Sequence, residues 1–143
     1  MPRAGGRCLF SGRQRTRLGE LELRVLDRLW EAGPAEVKSV HEAVGTPRGI
    51  SPKTVHSALE RLVRKGLAER RRLGRAYQYR ATLSRREWIA RSVQALSREV
   101  PGTSAETLLA AFVDLAEREG ADRLAELECL VRERRRRARK GPH

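Results

Sequence analysis

Between Ser51 and Gly66 the chain carries its most sharply bracketed helix signal. A hydroxyl residue able to cap a helix is followed by proline, whose fixed φ suits the first helical position, and glycine follows Lys65 where the helix would close. Inside these limits Val55, Ala58, Leu59, Leu62 and Val63 form one apolar stripe, which leaves Lys53, Thr54, His56, Ser57, Glu60, Arg61 and Arg64 on the other side. Such a helix packs along one face and offers the other to a partner.

The neighbouring segments restrict the fold further. Upstream, Leu21, Val25, Leu26, Leu29 and Trp30 recur at helical spacing from Leu18 until Gly33-Pro34, which predicts a first helix. Val37, Val40 and Val44 predict a shorter second one, broken by Gly45-Thr46-Pro47-Arg48-Gly49. Downstream, Leu67 to Arg72 and Ala76 to Arg80 read as strands about a Leu73-Gly74-Arg75 turn, with Tyr77 and Tyr79 on one face, where they are expected to close the core. Three helices followed by a hairpin is the order of a winged helix-turn-helix. The expected fold class is mainly α with a small β-hairpin wing.

Beyond the hairpin the pattern is helical again. Ser84 with Glu87 forms a capping box ahead of Trp88, Ile89, Val93 and Leu96. After Pro101-Gly102, Thr103 with Glu106 suggests a second box ahead of Leu108, Phe112 and Leu115. Gly120 then separates a last helix, started by Asp122 and carrying Leu124, Leu127, Leu130 and Val131. Three short amphipathic helices with few aromatics make a thin core, and small cores usually need a partner. A second copy of the chain is the economical one, with Trp88, Leu108, Phe112, Leu115, Leu124, Leu127 and Leu130 as candidate dimer residues. The organisation expected is a basic, disordered arm over 1–17, a winged-helix domain over 18–82, a helical dimerisation region over 83–131 and a basic tail over 132–143.

On charge alone, nucleic acid is the leading partner. The net charge is +13, with 18 basic and 8 acidic residues over 1–80, 6 and 9 over 81–131, and 7 and 1 over 132–143. A polyanion would meet the head and leave the middle free for packing. The run Arg132, Arg134 to Arg137, Arg139 and Lys140 reads chiefly as a frayed, solvated end, with phosphate contacts as the other reading. Cys8 and Cys129 are too few and too far apart for a disulfide framework or a zinc site, and no apolar run is long enough to cross a bilayer. A cytoplasmic chain without metal or cofactor is expected. His41, His56 and His143 have no nucleophile and carboxylate at catalytic spacing, which argues against an enzyme. An RNA-binding or ribosome-associated protein is the alternative, but the exposed side of the Ser51–Gly66 segment lacks the stacking aromatics that sequence-specific RNA binders use.

In a helix-turn-helix the second helix of the pair lies in the major groove with its N-terminal residues at the base edges. Ser51, Lys53, Thr54 and Ser57 supply short hydroxyls and one reaching cation there, His56 can meet base or phosphate, and Arg61 extends the polar side. Arg70, Arg71, Arg72 and Arg75 place guanidinium groups along the hairpin, suited to phosphates or to a narrow minor groove.

The stretches LGELELRVLDRLW, ISPKTVHSALERLVRKGLAERRRLGRAYQYR and LSRREWIARSV resemble the penicillinase-repressor family, the BlaI/MecI/CopY group of bacterial regulators, over Leu18 to Val93. The resemblance implies a homodimeric repressor on a dyad-symmetric operator of double-stranded DNA, with Ser51, Lys53, Thr54 and Ser57 in the recognition helix and Arg75 in the wing. Copper-responsive members carry paired Cys-x-Cys motifs, whereas this chain has the lone Cys129. In β-lactam-responsive members a membrane-bound sensor protease triggers cleavage in the dimerisation region, commonly at Asn-Phe. The matching place here is Ala111-Phe112, which keeps the Phe and lacks the Asn.

Overall fold

A computed structural model describes residues 18–141. The expected arm over 1–17, Cys8 and His143 lie outside the described residues. The chain divides into two compact units, one ending at Glu99 and the other beginning at Val100.

In the first unit, α1 (Glu20–Ala32) leads into a two-residue strand, β1 (Ala35–Glu36), and then into α2 (Val37–Val40). This second helix is shorter than the valine spacing predicts. Residues His41–Gly45 widen into a π turn and Thr46–Arg48 tighten into a 3₁₀ turn before Gly49 leaves at φ 64°. Gly45, expected to break the helix, is instead buried inside the π turn, and the break falls at Gly49. Helix α3 (Pro52–Arg64) has the limits its sequence prescribes, with Ser51 as the cap.

The wing is β2 (Ala68–Leu73) and β3 (Ala76–Ala81), antiparallel, with Leu73 opposite Ala76. The turn is therefore Gly74-Arg75 alone, and Leu73 belongs to the strand. Gly74 has φ 64° while Arg75 keeps a negative φ, the sign pattern of a II′ hairpin turn, whose twist matches that of the strands. The short β1 adds to the far edge of β3, pairing Ala35 with Tyr79, so the sheet order is β1-β3-β2. A two-residue strand has too little alternation to be visible in sequence.

The core joins α1, α2, α3 and the base of the sheet. Val25, Leu26, Val40, Val55, Ala58, Leu59, Leu62 and Tyr79 are inaccessible to solvent. Each large aliphatic side chain buried in this way contributes about 1.5–3 kcal/mol. The two tyrosines part company, for Tyr79 is 0% exposed and Tyr77 42%. They share a face, but Tyr77 lies nearer the wing tip, where Arg70 holds its guanidinium 5.0 Å from the ring centre. The first unit closes with α4 (Arg85–Glu99), started by the predicted box: Ser84 N–H donates to Glu87 at 2.8 Å and Glu87 N–H donates to Ser84 Oγ at 3.1 Å. Trp30 Nε1–H donates to the Leu83 carbonyl at 2.9 Å, and Trp88 packs against the core with its ring 6.2 Å from Trp30.

The second unit holds α5 (Ala105–Arg118) and α6 (Ala121–Lys140). Ser104, not Thr103, caps α5: its Oγ accepts from Thr107 N–H at 3.1 Å, while the Thr103 hydroxyl donates to the Val100 carbonyl at 2.8 Å and closes the Pro101-Gly102 turn. Gly120 occupies the cap of α6, which places Asp122 in the first turn, where a carboxylate suits the helix dipole. The arginine run expected to fray is helical to Lys140. Cations favour a helix C-terminus, and Arg132 and Arg137 each pair one turn back, with Glu128 and Glu133.

Candidate nucleic-acid interface

The N-terminal end of α3 is built by the turn before it. His41 Nε2 donates to the Ile50 carbonyl at 2.8 Å, and Ile50 N–H donates to the Gly45 carbonyl at 3.0 Å. Gly45 permits this closeness by its size. A Cβ there would meet His41 Cδ2 at 2.5 Å, the Ile50 carbonyl oxygen at 3.0 Å and Val55 Cγ2 at 3.0 Å.

Ser51, Lys53, Thr54, His56 and Ser57 are all exposed on α3, while Val55, Ala58, Leu59 and Leu62 fix the opposite face. The hydroxyls also have local partners. Ser51 Oγ accepts from Thr54 N–H at 3.3 Å and lies 3.0 Å from Thr54 Oγ1, and Ser57 Oγ donates to the Lys53 carbonyl at 3.0 Å. Each hydroxyl keeps a lone pair or its own O–H for a further partner. The turn therefore holds the polar groups in fixed directions without exhausting them.

Arg61 is placed differently. Its Nε lies 3.3 Å from Glu22 Oε1, and Lys65 Nζ lies 2.6 Å from Glu22 Oε2. Glu22 is buried on α1, so this pair of cations ties the C-terminal half of α3 to α1. Ten residues of helix, about 15 Å, separate Arg61 from Ser51. The structure brings the other five candidates together and leaves Arg61 apart as a clamp.

A residue the sequence did not single out as functional joins α3 to the wing. Glu60 accepts from the Tyr79 hydroxyl at 2.5 Å and from Arg70 Nη1 at 2.6 Å, and His56 Nε2 lies 3.7 Å away. The Tyr79 hydrogen bond, followed by Arg70 and His56, holds the Glu60 carboxyl below its ordinary range against the opposing effect of burial. Burial first, and then Glu60, pushes the Tyr79 hydroxyl up to about 12. The i, i+4 spacing of His56 and Glu60 was visible, but partners 10 and 19 residues away come only with the hairpin register.

Of the hairpin arginines, Arg70 is engaged by Glu60, and Arg72 Nε donates to the Gly74 carbonyl at 3.1 Å. Arg71 and Arg75 are exposed, with no side-chain partner among the described residues. Arg75 occupies the turn itself. In the second unit no residue of α5 or α6 is buried, and Phe112 (40%), Leu115 (56%), Leu124 and Leu130 (51%) are exposed, with Leu108 and Leu127 partly covered. Trp88 is partly buried, packed against the core of its own first unit. Ala111 and Phe112 lie inside α5, not in a loop. Among the described residues no three His, Cys, Asp or Glu side chains gather as a metal site, and no helix is long and apolar enough to cross a membrane.

Comparison with known proteins gives a match to the family described as Penicillinase repressor over residues 18–133. The chain is 39% identical over 122 residues to the transcriptional regulator BlaI of Mycobacterium tuberculosis, covering 79% of this chain and 86% of that protein. The chain belongs to the penicillinase repressor family. It is a winged-helix, DNA-binding transcriptional repressor and not an enzyme. Among solved structures, a possible transcriptional regulatory protein (fragment 1-100) from Mycobacterium bovis aligns at 26% identity and TM-score 0.47, over 58% of this chain and 86% of the other. The YusO protein from Bacillus subtilis aligns at 20% identity and TM-score 0.46, over 79% and 82%.

Proposed function

We propose that this repressor acts in the cytoplasm as a homodimer on a dyad-symmetric operator, reading bases with Ser51, Lys53, Thr54, His56 and Ser57 and phosphates or the minor groove with Arg75. The observation that carries the dimer is the second unit, where two helices bury no residue and expose Phe112, Leu115 and Leu130. Large apolar side chains left exposed on two helices without a core of their own favour an interaction site there. A second copy covers it by symmetry with the same residues, in the section of the chain that carries little net charge. Two linked winged helices then gain affinity through effective concentration, with no new base contact.

Derepression through a membrane-bound sensor protease fits the same surface. Cutting between Ala111 and Phe112 would divide α5 and detach α6 from the rest. Because that bond is inside a helix, the cut requires local unwinding of α5, which a helix without buried residues permits at low cost.

The test is the mass in solution and the affinity for a duplex selected from a random pool, for the parent chain and for Phe112→Asp. An unpaired carboxylate in a hydrophobic interface costs several kcal/mol, so the variant should be monomeric, keep the parent's helix content and bind the selected duplex at least tenfold more weakly. A Phe112→Asp protein that remains dimeric with full affinity would exclude this surface as the dimer interface.

A further inference from the structure

The last third of α6 carries an arginine array that the winged helix does not use. Arg132, Arg135, Arg136 and Arg139 fall at i, i+3, i+4 and i+7 on a continuous helix, which places them on one face. Together with Cys129 they line one concavity of about 490 Å³. Arg132 is paired with Glu128, whereas Arg135, Arg136 and Arg139 have no side-chain partner among the described residues. Arg134, Arg137 and Lys140 add three more cations, of which Arg137 is paired with Glu133. The family match ends at residue 133, so most of the array lies beyond the residues that the family model matches.

Like charges one turn apart repel, and each such pair destabilises a helix by some tenths of a kcal/mol. A line of phosphates relieves that repulsion. From Arg132 to Arg139 the face is about 10 Å long, and a DNA strand presents a phosphate about every 3.4 Å of axis. With one phosphate met by each of the three unpaired guanidiniums, the array can make about three phosphate contacts. Two other polyanions fit less well. A membrane-surface helix needs an apolar face opposite its cations, and from Arg132 to Lys140 the sole apolar residue is Ala138. Single-stranded nucleic acid is held by stacking on aromatic side chains, and α6 has none.

We propose that Arg135, Arg136 and Arg139, with Arg132 beside them, form a second, sequence-independent binding surface for the phosphate backbone of duplex DNA. The surface adds affinity for every duplex equally and adds no preference among sequences. It rests on the charge array alone and stands whether or not the chain dimerises through α5 and α6.

The experiment measures binding of the full chain to a scrambled duplex from 50 to 200 mM salt, for the parent, for the combined variant Arg135→Gln, Arg136→Gln and Arg139→Gln, and for the same three positions changed to Lys. Loss of about three phosphate contacts lowers the log–log salt slope by about 2.7 per chain, so the gap between parent and Gln variant should close about 40-fold over this range. The Lys variant should keep the parent's slope, which separates charge from helix stability. The ratio of affinities for selected and scrambled duplexes should be the same for all three proteins. Parallel salt lines for parent and Gln variant overturn the proposal. So does a Gln variant that binds DNA as the parent does but no longer binds vesicles of phosphatidylserine and phosphatidylcholine. Absence of any sequence preference in the parent would instead refute the operator reading, and the slope comparison would still decide this one.

Discussion

Replacing Tyr79 by Phe tests whether Glu60 fastens the wing to α3. The ring is fully buried, and Phe fills the same space, so the change removes one hydrogen bond and creates no cavity. A hydrogen bond to a charged group contributes about 1.5–3 kcal/mol. Glu60 is partly exposed and would keep Arg70, whose Nη1 lies 2.6 Å from both carboxylate oxygens, so the low end applies. The expected cost is about 1.5 kcal/mol, or a fall in Tm of about 6–12 °C for a unit of this size. Urea unfolding should show a lower midpoint with an unchanged m-value.

The pH dependence supplies an independent readout. Glu60 titrates below its ordinary value in the folded state, so its contribution is present above the unfolded value of 4.5 and is lost as pH falls through the folded value. Tyr79 is raised from 10.0 to about 12, so its contribution is complete below pH 10 and is lost as pH rises from 10 to 12. Tyr79→Phe removes the alkaline loss outright. It also moves the acid loss to higher pH, because the tyrosine hydrogen bond is the largest influence lowering Glu60. Combining Tyr79→Phe with Glu60→Gln in a double-mutant cycle should give a coupling of about 1 kcal/mol or more. A coupling near zero, with both pH limbs unchanged, would refute the clasp.

Three further substitutions probe the start of α3 and the wing. Gly45→Ala forces a Cβ against His41, Ile50 and Val55 and should cost about 1–3 kcal/mol in chemical denaturation, since the Ile50 backbone cannot withdraw without moving the start of α3. Lys53→Ala should cost about 1–3 kcal/mol in operator binding and relax preference at particular base pairs, whereas Arg75→Ala should weaken all duplexes more evenly, as competition assays on single-base operator variants would show.

The head was legible because its signals are local and agree with one another. Ser51-Pro52 and Gly66 bracket α3 to within a residue, and the Ser84–Glu87 box forms as read. What escaped depends on groups distant in sequence. The π turn at His41–Gly45 exists because His41 reaches Ile50 and Gly45 admits the close approach, and valine periodicity records neither. Tyr77 and Tyr79 alternate identically, yet only the residue opposite Ala35 and Arg70 lies deep enough to be buried. Arg61 has the same spacing logic as its neighbours on the polar side of α3, but its fate is decided by Glu22 on another helix. Thr103 looked like a cap and became a turn residue because the carbonyl of Val100 was within reach.

The charges around α3 divide its labour. Glu22 takes Arg61 and Lys65 at the C-terminal end, and Glu60 takes the wing, so two carboxylates tie the helix to α1 and the hairpin while its first turn is capped by the Ser51 hydroxyl. On the proposed operator, that first turn, where Lys53 has no side-chain partner among the described residues, would make base and phosphate contacts from a helix body tied at two points. The second unit has the reverse character, with no residue of α5 or α6 buried and its apolar side chains open. Stability of the head and covering of the second unit are therefore separate free energies. On the proposed dimer, a change that uncovers α5 would reduce occupancy of paired half-sites through lost effective concentration while each head stays folded, which would put control of occupancy in the helices that hold no core of their own.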